Sequence, residues 1–155
     1  MKKIMIIICI LLNITGCSKY AYKEEKLDNR IIIEKISIDN KYNIVSLNDN
    51  VIGIVMFSEC GRPDKKGTNT VIGAHSGIGS NAYFNDISKL KNGDLINVIY
   101  DNILYSYSVT EVKIVNDTNV QILDDNNKSI LTLLTCKFGE KGKRIVVVSE
   151  LIVDL

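Results

Sequence analysis

The sequence predicts an all-β fold with one or two short helices, and three observations carry that prediction. Runs rich in Ile, Val, Thr and Tyr recur from Arg30 to the C-terminus, as pleated, half-buried strands require. Turn residues interrupt them every ten residues or so. Only one segment carries a helical period. About eight short strands in a chain of 155 residues indicate one domain, an antiparallel barrel or sandwich around one core.

The elements follow in order. Ile31–Ile38 is β-branched and alternates at its end, and reads as the first strand. Ile44–Leu47 and Val51–Met56 follow, separated by Asn48-Asp49-Asn50. A loop rich in Gly, Pro, Asp and Lys, Glu59–Asn69, leads into Thr70–His75, after which Gly77, Gly79 and Asn81 break the chain. Phe84, Ile87 and Leu90 recur at intervals of three, a helical turn that Asn92-Gly93-Asp94 ends. Leu95–Tyr100 and Leu104–Thr110 flank Asp101-Asn102, a tight hairpin signal. Val112–Val115, Ile130–Thr135 and Ile145–Val148 complete the strands.

The N-terminus is of another kind. Met1-Lys2-Lys3 supplies positive charge, and Ile4–Leu12 is an unbroken apolar run of nine residues. A helix crossing about 30 Å of hydrocarbon needs about 20 residues. Residues 1–16 therefore read as a secretory signal peptide. Its end, Ile14-Thr15-Gly16-Cys17-Ser18, resembles the lipobox of bacterial lipoproteins, in which cleavage before Cys17 leaves that cysteine as a lipid anchor. An uncleaved signal-anchor is the alternative. Both readings place the domain at the extracytoplasmic face of the cell membrane. Residues 17–30 are polar and read as a tether, and 31–155 as the folded domain.

Composition excludes some partners. The 19 basic residues barely outnumber the 18 acidic ones and form no stripe, which argues against nucleic acid. Trp is absent and Pro occurs once, so stacking platforms and Pro-rich recognition segments are not expected. Of four cysteines, Cys9 and Cys17 fall in the export segment, leaving Cys60 and Cys136. A bridge between those two is the alternative to a free thiol, and would silence a nucleophile at Cys136.

Three residues carry candidate chemistry. His75, the single histidine, stands just after a buried-looking strand. Cys136 terminates the apolar strand that ends Leu133-Leu134-Thr135. A strand-terminal cysteine is most often a small core hydrophobe, but nucleophilic catalysis needs a Cys within reach of a base, and the two need not be close in sequence. Arg144 opens the next strand. Its ordinary role is edge decoration; its functional one is a fixed cation with a fork of donors beside a thiolate or developing oxyanion.

In this order and spacing the residues resemble a known family. Leu131-Thr132-Leu133-Leu134-Thr135-Cys136, a loop Lys137–Lys143 and Arg144 look like the sortase signature. Val71–Gly77 matches the family's histidine segment, and Phe84–Ile87, Lys91–Asp94 and Pro63…Thr70 resemble its flanking sequence. The resemblance covers about residues 30–153, nearest to the compact housekeeping (A-like) or D/E-like groups. It implies an eight-stranded sortase β-barrel and a cysteine transpeptidase of the Gram-positive cell wall that cuts an LPxTG-like sorting motif between Thr and Gly. Cys136 would hold the acyl group as a thioester, His75 would move the proton, Arg144 would orient substrate and stabilise the oxyanion, and Thr135 would help line the oxyanion site. Its partners would be surface proteins bearing the sorting motif and an amine on cell-wall precursor or pilin. A silent sortase-like lipoprotein that binds a wall peptide is the alternative. No cofactor is expected. Some relatives bind calcium, for which Asp124, Asp125, Glu59 and Asp64 are weak candidates, since calcium takes six to eight oxygens.

Overall fold

Alternation along the strands gives the wall of the molecule two faces. Ile72 and Ala74, Leu131 and Leu133, and Ile145 and Val147 point into the main core with Ile31, Ile33, Tyr107 and Phe84. Val71, Val55 and Phe57 form a second cluster, against which Val51, Leu123 and Leu134 pack. The computed structural model describes residues 26–125 and 127–152. The expected signal or anchor segment, Cys17 and most of the tether lie outside the described residues. Among the described residues no helix is long and apolar enough to cross a membrane.

Eight strands follow in order: β1 (Arg30–Ile33), β2 (Ile38–Val45), β3 (Ile54–Phe57), β4 (Asn69–Ala74), β5 (Leu95–Tyr100), β6 (Ile103–Asn116), β7 (Ile130–Cys136) and β8 (Lys143–Leu151). They form a closed barrel in the order β1-β2-β3-β4-β7-β8-β6-β5, with β5 pairing back onto β1. Closure leaves no unpaired strand edge. The barrel is not antiparallel throughout: β2–β3 and β4–β7 are parallel. The β4–β7 pair sets the C-terminal ends of two strands, at Ala74 and Cys136, on one rim.

Several elements differ from the sequence expectation. Ile31–Ile38 is not one strand. A 3-10 turn at Glu34–Ile36 ends at Ser37, whose φ of 56° is left-handed, and β1 and β2 become a hairpin. No Gly or Pro announces that turn. Val51–Gly53 stays outside β3, because Gly53 at φ +75° redirects the chain. The helical turn shrinks to a 3-10 turn at Ile87–Lys89, and another at Val120–Leu123 had no sequence signal. Leu104–Thr110 and Val112–Val115 join in one strand, β6, interrupted only by a bulge between Val109 and Glu111. Arg30, expected in the tether, begins β1. The Asp101-Asn102 hairpin is as expected, with φ of 47° and 69° at its central residues.

Phe84 anchors the β4–β5 connection. Its side chain is wholly buried with Ile87 in the main core, and its N–H donates to the His75 carbonyl at 3.1 Å. Truncating a buried aromatic removes its transfer free energy and leaves a cavity. Phe84→Ala is expected to lower unfolding stability by about 3–5 kcal/mol, read as a drop in the urea midpoint. In the same core, burial raises the Tyr42 and Tyr107 hydroxyls, that of Tyr107 to about 12, so both remain neutral.

Candidate active site

Register brings the three candidate residues together. Cys136 faces Arg144 directly across the antiparallel β7–β8 pair, and directly opposed side chains share a face with Cβ atoms about 4.5–5.5 Å apart. On the other side of β7, β4 is matched from Asn69↔Ile130 to Gly73↔Leu134. His75 and Cys136 each follow that last pair by two residues. Ala74, Leu133 and Ile145 point into the core, so alternation turns His75, Cys136 and Arg144 outward on three adjacent strand ends. His75 and Cys136 are exposed and Arg144 is half-buried.

Beside them is a pocket of about 140 Å³ that Val51, Phe57 and Leu134 line with the three candidate residues. Larger hollows of about 480 and 510 Å³ open beside Leu27 and Tyr100 and beside Lys35 and Leu95, where no cysteine, histidine or arginine lines them; another, of about 380 Å³, adjoins His75 and Ser76 on the side of residues 78–82. Gly73 explains how the pocket wall comes so close to β4. A Cβ there would lie 2.9 Å from the Phe57 ring, well inside contact distance.

His75 Nε2 lies 2.8 Å from the Val51 carbonyl oxygen. A carbonyl only accepts, so Nε2 carries a proton and Nδ1 is the ring nitrogen left to face other partners. Among the described residues no hydrogen bond joins that ring to the Cys136 thiol. The β2–β3 loop that supplies Val51 is fastened by Glu59, which accepts from the Ser46 hydroxyl and the Leu47 N–H. The hydrogen bond from Ser46 is the first cause holding the Glu59 carboxyl below the usual range.

Arg144 Nη1 donates to the Lys143 carbonyl at 3.2 Å, and Nη2 stands 3.7 Å from Asp117 Oδ2. A pair this exposed is worth about 0–1 kcal/mol, so Asp117 steers the guanidinium without holding it fast. Thr135 lines the same pocket, and its buried hydroxyl donates to the Ala74 carbonyl at 2.7 Å. With its proton engaged there, the hydroxyl has none to offer an oxyanion.

Cys60 and Cys136 are both free, so the alternative disulfide does not form. Burial, then the charges of Glu59 and Asp125, raises the Cys60 thiol, which opposes thiolate formation at that site. The weak calcium candidates take part in contacts within the fold. Glu59 serves its loop, Asp125 accepts the Asn69 N–H at 2.6 Å, and Asp64 pairs with Arg62. Asp124 offers its backbone carbonyl to Asn69. Among the described residues no three His, Cys, Asp or Glu side chains gather as metal ligands.

Sequence reasoning missed Val51, Asp117 and the role of Ser76. Val51 acts through its carbonyl, which every residue has. Asp117 lies in an unremarkable polar loop. Ser76 was visible as the neighbour of His75, but its hydroxyl donates to the Cys136 carbonyl, 60 residues along the chain.

A closed β-barrel with an accessible thiol, an imidazole and a guanidinium on neighbouring strand ends defines the class of protein. Residues 25–152 match the family model described as the Sortase domain, and the chain belongs to the sortase family. It is 42% identical over 69 residues to Sortase A of Listeria monocytogenes, a match covering 44% of this chain and 31% of that protein. With Sortase A of Bacillus anthracis it shares 35% over 86 residues, 54% of this chain and 40% of the relative. The matched region thus spans less than half the length of these curated relatives. Among solved structures, sortase C of Clostridium perfringens SM101 superposes with a TM-score of 0.70 at 27% identity, covering 84% of this chain and 73% of that one. The structure of C. perfringens sortase C with the C-terminal cell wall sorting motif gives 0.72 at 28% identity, covering 81% and 70%.

Proposed function

We propose that this protein is a cysteine transpeptidase that cleaves an LPxTG-like sorting motif between Thr and Gly and passes the acyl group to an amine of the cell wall or a pilin. The observation that carries the reading is the shared outer face of His75, Cys136 and Arg144 beside the pocket of Val51, Phe57 and Leu134. His75 takes the thiol proton at Nδ1, and the resulting Cys136 thiolate attacks the scissile carbonyl carbon to form a tetrahedral oxyanion. Arg144 stabilises that charge as the bond to the leaving nitrogen breaks, and His75 gives the departing amine a proton. The thioester then takes an incoming amine, which loses a proton to His75 as the thiolate departs. The pocket's apolar walls hold water back from the thioester.

The reading extends to place. Residues 1–16 act as a signal, and the domain is held at the outer membrane face by a lipidated Cys17 or an uncleaved apolar segment. The similarity to C. perfringens sortase C with the C-terminal cell wall sorting motif supports surface proteins with such a motif as partners.

One observation favours a second reading, a silent binder of wall peptide: His75 is bonded to Val51 rather than to Cys136. Apo catalytic bonds are often loose and tighten with substrate, so the enzyme reading is preferred. The full chain in detergent, given LPxTG-like peptides, is expected to release the Gly-side fragment and form a mass-detectable thioester on Cys136. Added oligoglycine or a diamine is expected to turn the hydrolysis product into a transfer product. Peptide binding without any adduct across a sorting-motif library would establish the silent binder instead.

A further inference from the structure

The paired residues of β4 and β7 end at Gly73↔Leu134, two residues short of His75 and Cys136. Two side chains continue the join past that point, one from each strand. Thr135 of β7 donates its hydroxyl to the carbonyl of Ala74, the residue before the histidine. Ser76, the residue after the histidine, donates its hydroxyl to the carbonyl of Cys136 itself. The imidazole-bearing residue is thus bracketed by two bonds to the nucleophile's strand.

Ser76 is held on its own side as well. The His75 carbonyl before it accepts from the N–H of buried Phe84 at 3.1 Å. Gly77 after it is bound both ways by Asn85, N–H to Oδ1 at 2.7 Å and Nδ2 to the carbonyl at 3.1 Å. Gly77 sits at φ +130°, and a Cβ there would come within 3.2 Å of the Phe138 ring from the β7–β8 loop. Ser76 therefore stands between a framework anchored in the core and the backbone of the nucleophile.

We infer that Ser76 is a positioning residue: its hydroxyl carries the anchored Phe84–Asn85 framework across to β7 and sets the separation of His75 from Cys136. Acyl transfer requires thiol and base within a narrow range of geometry, and a displacement of about 1 Å can cost about 10²-fold. Among the described residues no direct bond joins the imidazole and thiol in this structure, so their separation depends on such cross-strand ties. The Ser76 hydroxyl proton is given to the Cys136 carbonyl, so Ser76 is assigned no proton transfer of its own. Its action on the reaction passes through Cys136 and His75, and to that extent the inference rests on the function proposed above.

The test compares Ser76→Ala and Ser76→Thr in the full chain in detergent, with two readouts. The first is the rate at which iodoacetamide alkylates Cys136 at neutral pH, followed by peptide mass spectrometry, which needs no substrate. The second is turnover of the sorting peptide, resolved into kcat and KM. Ser76→Ala is expected to slow Cys136 alkylation several-fold and to lower kcat about tenfold or more, with KM little changed. Ser76→Thr, which keeps the hydroxyl, is expected to restore both. Circular dichroism and the urea midpoint are expected to match wild type, because Ser76 lies outside the core. Unchanged alkylation and unchanged kcat in Ser76→Ala overturn the inference, and so does equal impairment of the Ala and Thr variants. If the wild-type chain turns over no peptide, the proposed function fails and the alkylation comparison still decides the role of Ser76.

Discussion

Cys136→Ala is expected to abolish both thioester formation and peptide cleavage, a loss of about 10³-fold or more in kcat/KM, equivalent to about 4 kcal/mol of transition-state stabilisation or more. No other thiol among the described residues can replace it. Cys60 is half-buried in the smaller cluster, and burial with the nearby Glu59 and Asp125 charges holds its proton on. Cys60→Ala should therefore leave turnover within about twofold of wild type, as a substitution away from the reacting atoms does. The exposed position of Cys136 at the end of β7 makes its truncation structurally mild, so peptide affinity and the urea midpoint should stay near wild type. Cys136→Ser separates nucleophilicity from shape. An oxygen nucleophile of the same geometry, without thiolate chemistry, is expected to be nearly as inactive. The measurement is mass spectrometric capture of the acyl-enzyme together with fluorogenic peptide cleavage. Retained cleavage in Cys136→Ala would falsify the assignment of the nucleophile.

The site was more legible in the sequence than the fold details were, and the reasons are physical. Cys136 and Arg144 each sit at the end of an apolar strand-forming run, so their shared rim follows once the two runs pair. His75 follows a third such run. The order and spacing of the three matched a family pattern, which a lone cysteine or histidine could not have done. The Asp101-Asn102 turn was legible because few residues tolerate two consecutive left-handed conformations. The break at Ser37 was not, because an isoleucine-rich run carries the same local preference on both sides of it. Phe84–Leu90 has helical spacing, yet its residues are committed elsewhere: Phe84 and Ile87 go to the core and Asn85 to Gly77. Tertiary contacts override so short a local preference. The parallel pairings of β4 with β7 and β2 with β3 left no mark that composition could reveal. Glu59 accepts from Ser46 and Leu47 and Asp125 from Asn69, contacts that no feature of the sequence announced.

Arg144→Ala is expected to lower kcat about 10²–10³-fold with a smaller change in KM, the pattern for losing a donor that acts mainly on the transition state. The geometry makes this a test of chemistry rather than folding. The contact to Asp117 is long and partly exposed, with side-chain accessibilities of 31% and 39%, so removing it should cost about 1 kcal/mol or less. One donor is occupied by the Lys143 carbonyl, and a guanidinium has others for the oxyanion. Arg144→Lys distinguishes charge from geometry. Lysine keeps a cation on a flexible stem but loses the planar fork, and its compact ammonium is not aimed by the same contacts. Partial recovery, with kcat between wild type and Arg144→Ala, is the expected result, since cross-strand register places residue 144 opposite Cys136 whatever its side chain. Full recovery by lysine would mean that charge alone suffices. A kcat for Arg144→Ala within threefold of wild type would remove Arg144 from the chemistry and leave oxyanion stabilisation to the backbone. That result could not be rescued by Thr135, whose hydroxyl proton is already given to Ala74 on the neighbouring strand.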